Sequence, residues 1–274
     1  MRSKAFAVGA AILISACNQS QNASTQTEKP TAQQFVRANA PVNLVAEGER
    51  LAHILGCKGC HESNLQGAVW DEEPEFGVVA PANLTRSAAQ YSDAQLATMI
   101  REGVRPDGSA LWEMPSEAYT HLGQADMQAL LTYLKSLPAA GPDRPRPTFG
   151  PGAKEEIKAG KLLSTPQKVA VERVQEPWSG GPGHERGRYI ARMSCGECHG
   201  PKLEGNDEPF RPDLLAASGY SLEEFRRLLK TGEPTGGRKL KLMAQVAKSR
   251  FSYLSDEEVE ELYAYLTARA AQKP

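Results

Sequence analysis

No apolar run in this 274-residue chain is long enough to make a membrane helix; the first, Ala5 to Ile14, stops far short of the roughly 20 residues a bilayer requires. Positive charge is not in surplus either. With Lys+Arg at 32 against Asp+Glu at 33, the formal net charge is −1, and nothing is left over to neutralise a phosphate backbone, so nucleic acid is excluded as a partner. Alternation at period two is never sustained long enough to argue for a sheet. Cysteine and histidine are scarce, at five each, so the position of every one carries information.

What is present begins with a secretion signal. Arg2 and Lys4 precede the apolar run, and small residues follow it. Ile14-Ser15-Ala16-Cys17 resembles a lipobox, in which cleavage after residue 16 leaves Cys17 as a lipidated N-terminus; several acyl chains together anchor stably where one is marginal. Asn18 is not the aspartate associated with inner-membrane retention, which points the address toward the outer membrane of a bacterial periplasm. Residues 17–43, rich in Gln, Ser, Thr, Asn and Ala, bury no core and are expected to form a disordered tether.

A second break in composition, from Pro138 to about Gly183, holds eight prolines and reads as a long connector, partly ordered at best. The breaks leave two segments, 44–140 and 184–274, with the connector taken as 141–183. The segments repeat one another. Each opens on a helical pattern ending in a cysteine motif, from Glu47 and from Glu185. Each continues to a serine-capped amphipathic helix, from Ser92 and from Ser221, which a glycine stops eleven residues later at Gly103 and Gly232. Each closes on a further helix, Gly123 to Leu137 and Ser255 to Ala268. Both segments are therefore expected to be all-α.

The motifs are Cys57-Lys58-Gly59-Cys60-His61 and Cys195-Gly196-Glu197-Cys198-His199, the pattern for covalent attachment of c-type haem. Cysteines three apart on a helical turn share a face and can both add to haem vinyl groups, and the adjacent histidine offers its imidazole to the iron. Other readings are a Cys₄ zinc site, a thioredoxin-like pair or local disulfides. Composition weighs against them, since five histidines in 274 residues place one after both motifs by chance roughly once in 3,000. A zinc ribbon also wants its pairs about 15 to 20 residues apart, whereas 134 residues separate Cys60 from Cys195.

On these motifs both segments resemble class I cytochrome c domains, and together they resemble the dihaem cytochromes that serve as electron-transfer subunits of periplasmic dehydrogenases. The resemblance implies two covalent haem c groups, each held among three main helices, with a methionine from a loop as second axial ligand. Met114 lies in a loop before Pro115, 22 residues after Ser92, and Met243 lies 22 residues after Ser221, without a following proline and in a stretch, Lys239 to Ala247, that also suits a helix; Met99 and Met127 fall on apolar helix faces and read as core. His121 reads as a surface or helix-end residue, and Met193 stands too near Cys195 to reach the far face of its haem. The resemblance also implies that the carbonyls of Pro81 and Pro212 accept the Nδ1 protons of His61 and His199. Asn83 and Thr85 suit either a propionate contact or a turn, and Tyr133 and Tyr265 suit packing against Gly48 and Gly187.

The expected function is transfer of single electrons between a redox-protein donor and acceptor, with the membrane reached through a lipid anchor and no small-molecule substrate. A dihaem enzyme of the peroxidase type would need an iron that opens a coordination position, which two placed methionines oppose. A fixed electron-transfer subunit of a larger dehydrogenase would look chemically identical to a free carrier.

Overall fold

Helix α1 (Leu44–Ile54) starts where Asn43 caps it, Oδ1 accepting from the amides of Val45 and Ala46 at 3.1 and 3.2 Å. It packs across α6 (Gln124–Ser136), burying Leu51, Ala52 and Ile54 against Met127, Leu130 and Leu134. The crossing is close because residue 48 is glycine: a Cβ there would stand 2.0 Å from the Ala129 carbonyl oxygen and 2.6 Å from Tyr133 Cβ. In the second half α9 (Glu185–His199) crosses α12 (Asp256–Gln272) the same way, and a Cβ at Gly187 would stand 2.2 Å from Glu261 O and 2.8 Å from Tyr265 Cβ. The expected pairing of tyrosine with glycine therefore holds in both halves.

The computed structural model describes residues 34–36, 43–206 and 211–272. The expected signal peptide, Cys17 and most of the expected tether lie outside the described residues. Between α1 and α6 run α2 (Cys57–Cys60), α3 (Leu84–Gln90), α4 (Asp93–Glu102) and α5 (Ser116–Tyr119). The connector holds α7 (Pro151–Lys158) and α8 (Thr165–Glu172), and the second half adds α10 (Leu222–Thr231) and α11 (Lys241–Ser249). The repeated middle helices carry the predicted caps: Ser92 with Gln95 and Ser221 with Glu224 form reciprocal capping boxes. Gly103 and Gly232 end them in the left-handed conformation, at φ 67° and 74°.

The helical fold carries one small addition. Strands β1 (Asp71–Glu73), β2 (Gly77–Val79) and β3 (Thr148–Phe149) form an antiparallel sheet in that order. Two or three residues per strand are too few for alternation to show in the sequence.

The Pro-rich stretch is more ordered than its composition suggests. Pro151 and Pro166 sit in the first turns of α7 and α8, where a missing N–H costs nothing, and Ser164 with Gln167 forms a further capping box. Thr165 and Val169 of α8 are buried, and α8 packs on α4 and α5. Three residues of the expected tether are also seated. Phe35 and Val36 are buried, and both amides donate to the Asp126 carboxylate at 2.8 Å.

Asp126 joins the halves as well, since Tyr189 of α9 donates its hydroxyl to it at 2.6 Å. Burial raises the Asp126 pKa, and the three donors act against that rise. A second junction is the Glu258 carboxylate, which pairs with Arg50 at 2.7 Å and with Arg186 at 3.3 Å.

Candidate cofactor sites

Cys57 and Cys60 occupy the single turn α2, set off from α1 by Gly56 at φ 78°. His61 follows as its C-cap and is buried at 8% exposure. Its Nδ1–H donates to the carbonyl of Ala82 at 2.7 Å. In the second half Cys195, Cys198 and His199 lie on the last turns of α9, and His199 Nδ1–H donates to Pro212 O at 2.8 Å. A carbonyl only accepts, so each ring carries its proton on Nδ1 and presents a bare Nε2 lone pair. Burial lowers both histidine pKa values, keeping the rings neutral as a metal ligand requires.

The acceptor for His61 is Ala82, not Pro81, and the repeat explains the difference. In each half the acceptor immediately precedes a capping side chain, Asn83 accepting from Thr85 N and Asp213 from Leu215 N. Counted from the caps, Pro212 corresponds to Ala82. The carbonyl of Pro81 instead faces Gly67, where a Cβ would come within 2.1 Å of it. Gly67 and its counterpart Gly205 stand six residues after their histidines, both at positive φ, and each donates its amide to the histidine carbonyl at 2.9 Å.

Around the first motif lies a cavity of about 340 Å³. Cys57, Cys60, His61 and Met114 all line it, so the structure brings the sequence-predicted anchor and ligand residues together. Its walls are apolar, with Leu96, Ile100, Leu130, Leu134 and Trp112 among them. Met99 lines it too while packing on the core, and Met127 is core alone. His121 stands elsewhere, its Nε2 bonding to Arg173 O at 2.9 Å. Asn83 caps α3 and donates to Ala140 O and Pro142 O, so the turn role accounts for its polar groups even though it borders the cavity.

Sequence reasoning missed two contributions to this site. Arg105, Arg144 and Arg146 line the cavity, the latter two supplied by the connector. Burial, and next the neighbouring Arg146, lower the Arg105 pKa, as expected where guanidinium groups crowd together. An apolar chamber with three arginines at its margin, a cysteine pair and a neutral imidazole fits an iron porphyrin: flat and apolar in the middle, anionic at its propionates. The second contribution is Thr165, whose hydroxyl donates to the Met114 carbonyl at 3.0 Å while its amide donates to Leu111 O. No sequence signal linked a connector threonine to a loop 51 residues earlier.

In the second half, Met243 sits in the first turn of α11, half-buried against the core, rather than in a loop. Met193 is fully buried. The cysteines argue against the rival chemistries. All four are unbridged thiols, and burial raises their pKa values, Cys57 to about 12 and Cys195 to about 11. A redox-active pair needs the opposite shift. Among the described residues no three His, Cys, Asp or Glu side chains gather as a metal cluster, so the pairs do not meet as a Cys₄ site.

The cytochrome c family profile matches residues 45–138 and 184–269, together more than half of the chain. The chain belongs to the cytochrome c family. Within it, the chain is similar to the fructose dehydrogenase cytochrome subunit of Gluconobacter japonicus, 24% identical over 92% of this chain and 57% of the relative. It is also similar to the alcohol dehydrogenase (quinone) cytochrome c subunit of Gluconacetobacter polyoxogenes, 27% identical over 81% and 55%. A third relative is the gluconate 2-dehydrogenase cytochrome c subunit of Pantoea cypripedii, 23% identical over 84% and 60%. The chain thus spans little more than half the length of these relatives. The two matched segments coincide with the halves built on α1/α6 and α9/α12, so the architecture is two cytochrome c units in tandem.

Proposed function

We propose that this cytochrome is the electron-transfer subunit of a periplasmic dehydrogenase, carrying one haem c on Cys57 and Cys60 and a second on Cys195 and Cys198. The observation that carries this reading is the first cavity, where a cysteine pair, a histidine with its proton fixed on Nδ1 and a methionine share one apolar chamber. Bound there, haem c supplies an iron that gains and loses one electron. His61 and His199 would each hold an iron through Nε2, and Met114 and Met243 would supply the thioether ligands. The Nδ1–H bonds to Ala82 O and Pro212 O hold each ring and raise its basicity. A thioether ligand favours Fe(II), so haems held by these residues would have a higher potential than bis-histidine ones.

The docked-subunit reading is favoured over a free shuttle because the relatives are named as cytochrome subunits of dehydrogenases. Its redox partners would be that dehydrogenase as donor and a membrane or periplasmic acceptor. Cys17 would carry the acyl chains that keep the protein at the membrane, on the periplasmic side and favouring the outer membrane. Among the described residues no helix is long and apolar enough to cross a bilayer.

A redox titration of the mature protein, with haem counted per chain, tests the assignment. Two haems, two one-electron steps, a methionine-to-iron charge-transfer band and no turnover with peroxide are expected. A colourless protein, or one that consumes peroxide, would remove it. Co-purification in mild detergent distinguishes a docked subunit from a free carrier, and mass spectrometry of the mature N-terminus tests the lipid.

A further inference from the structure

The strongest feature outside the two sites is an ion pair placed between them. Arg250, just after α11, donates Nε to the carbonyl of Ile54 at 3.0 Å, three residues before Cys57. Its guanidinium fills the space beside Gly56, where a Cβ would fall 2.8 Å from Arg250 Cζ. From Nη1 it pairs with Glu197 at 2.7 Å, and Glu197 is one of the two residues between the cysteines of the second motif. Glu197 in turn lines the first cavity together with Cys57 and Cys60. One arginine therefore touches the lead-in to the first motif and the interior of the second, and the carboxylate of the second motif borders the first site.

The pair is well shielded, with side chains 11% and 26% exposed. Arg250 Nη2 is buried with no protein partner, which leaves a donor for a group the described residues do not supply. A fixed charge in such surroundings is screened far less than one in water. Oxidised haem carries one more positive charge than reduced haem. A nearby cation therefore disfavours oxidation and raises the potential, and a nearby anion lowers it.

We propose that Arg250 and Glu197 form a charge element shared by the two haem sites, so that neutralising either residue shifts both reduction potentials together. The proposal rests on the reading that both motifs carry haem. In this role the two are positioning residues, acting through space on the potential of both centres relative to their redox partners.

The test is a spectroscopic redox titration of purified holoprotein, with haem per chain counted first. Arg250→Gln is expected to move both steps to lower potential, Glu197→Gln to move both to higher potential, and Arg250→Lys to stay near wild type. Opposite signs distinguish electrostatics from loosening, because a loosened interface would move both variants the same way. If Arg250→Gln does not fold with two haems, the near-isosteric Glu197→Gln carries the test alone. A shift confined to one step, shifts of the same sign in both variants, or no shift in Glu197→Gln would overturn the proposal. Fewer than two haems in the wild type would overturn the underlying haem assignment instead.

Discussion

The two halves follow one plan and diverge around the cysteine motif and the proposed methionine. In the second half, α9 runs unbroken for 15 residues through its motif, with the Ser194 hydroxyl donating to Ile190 O at 2.7 Å. In the first half, the residue in the same place is Gly56, which turns left-handed and splits the motif into its own turn, α2. Arg250 from the second half occupies the room beside that glycine. Met114 lies in a loop fastened by Thr165 and by Ser116, whose hydroxyl donates to Met99 O at 3.1 Å, while Met243 is carried by a helix. The Cys-x-x-Cys-His motif thus constrains its own turn strongly and the setting of the proposed methionine hardly at all. The scaffold around that methionine differs between the halves, in the first with help from the connector.

That comparison can be broken at several points. The largest effect is expected from Cys57→Ala with Cys60→Ala, which should leave one haem per chain and an intact second spectrum. Loss of both haems in the haemochrome assay would show that the halves do not mature independently. Next, Met114→Leu and Met243→Leu should each remove half of the charge-transfer band and lower one potential; an unchanged band in either variant withdraws that methionine.

Smaller effects concern the scaffold. Gly48→Ala and Gly187→Ala each force a Cβ into a partner-helix carbonyl, and a loss of about 2–3 kcal/mol in denaturant unfolding is expected from either. Thr165→Val removes the hydroxyl bond to the Met114 loop and should cost about 1 kcal/mol. It should also weaken the charge-transfer band of the first haem only, since Thr165 has no described contact in the second half.

The smallest effect is a pH dependence. Burial pushes the Glu117 carboxyl up to about 7 from 4.5, and its buried Oε2 has no partner. A raised folded-state pKa means that the folded chain holds this proton more tightly than the unfolded chain does. The penalty is absent below pH 4.5, grows as pH rises toward 7 and is complete above it. Glu117→Gln should therefore raise Tm at pH 8, by the equivalent of about 1 kcal/mol after allowing for partial exposure, and leave it unchanged at pH 4.5. Equal Tm values at both pH extremes would remove Glu117 as the cause.

Much of the helical plan was legible because its signals are local. The Ser92 and Ser221 boxes, the Gly103 and Gly232 stops and the faces of α6 and α12 each depend on residues within a turn or two of one another. The connector was misjudged because prolines were counted without regard to position. At Pro151 and Pro166 they begin helices. The resemblance put the His61 acceptor one residue early, at Pro81, because only the capping pair Asn83 and Asp213 marks the register of the two halves there.

By itself, the sequence determined the two Cys-x-x-Cys-His motifs and the caps that bound the repeated helices, since cysteine spacing and caps act over a few residues and need no distant partner. Only the tertiary structure decided which carbonyl orients each histidine, that three arginines and Thr165 attend the first cavity, and that Arg250 bridges to Glu197. Those contacts join residues 13 to 196 positions apart, and the backbone path that brings them together leaves no periodic trace in the order of amino acids.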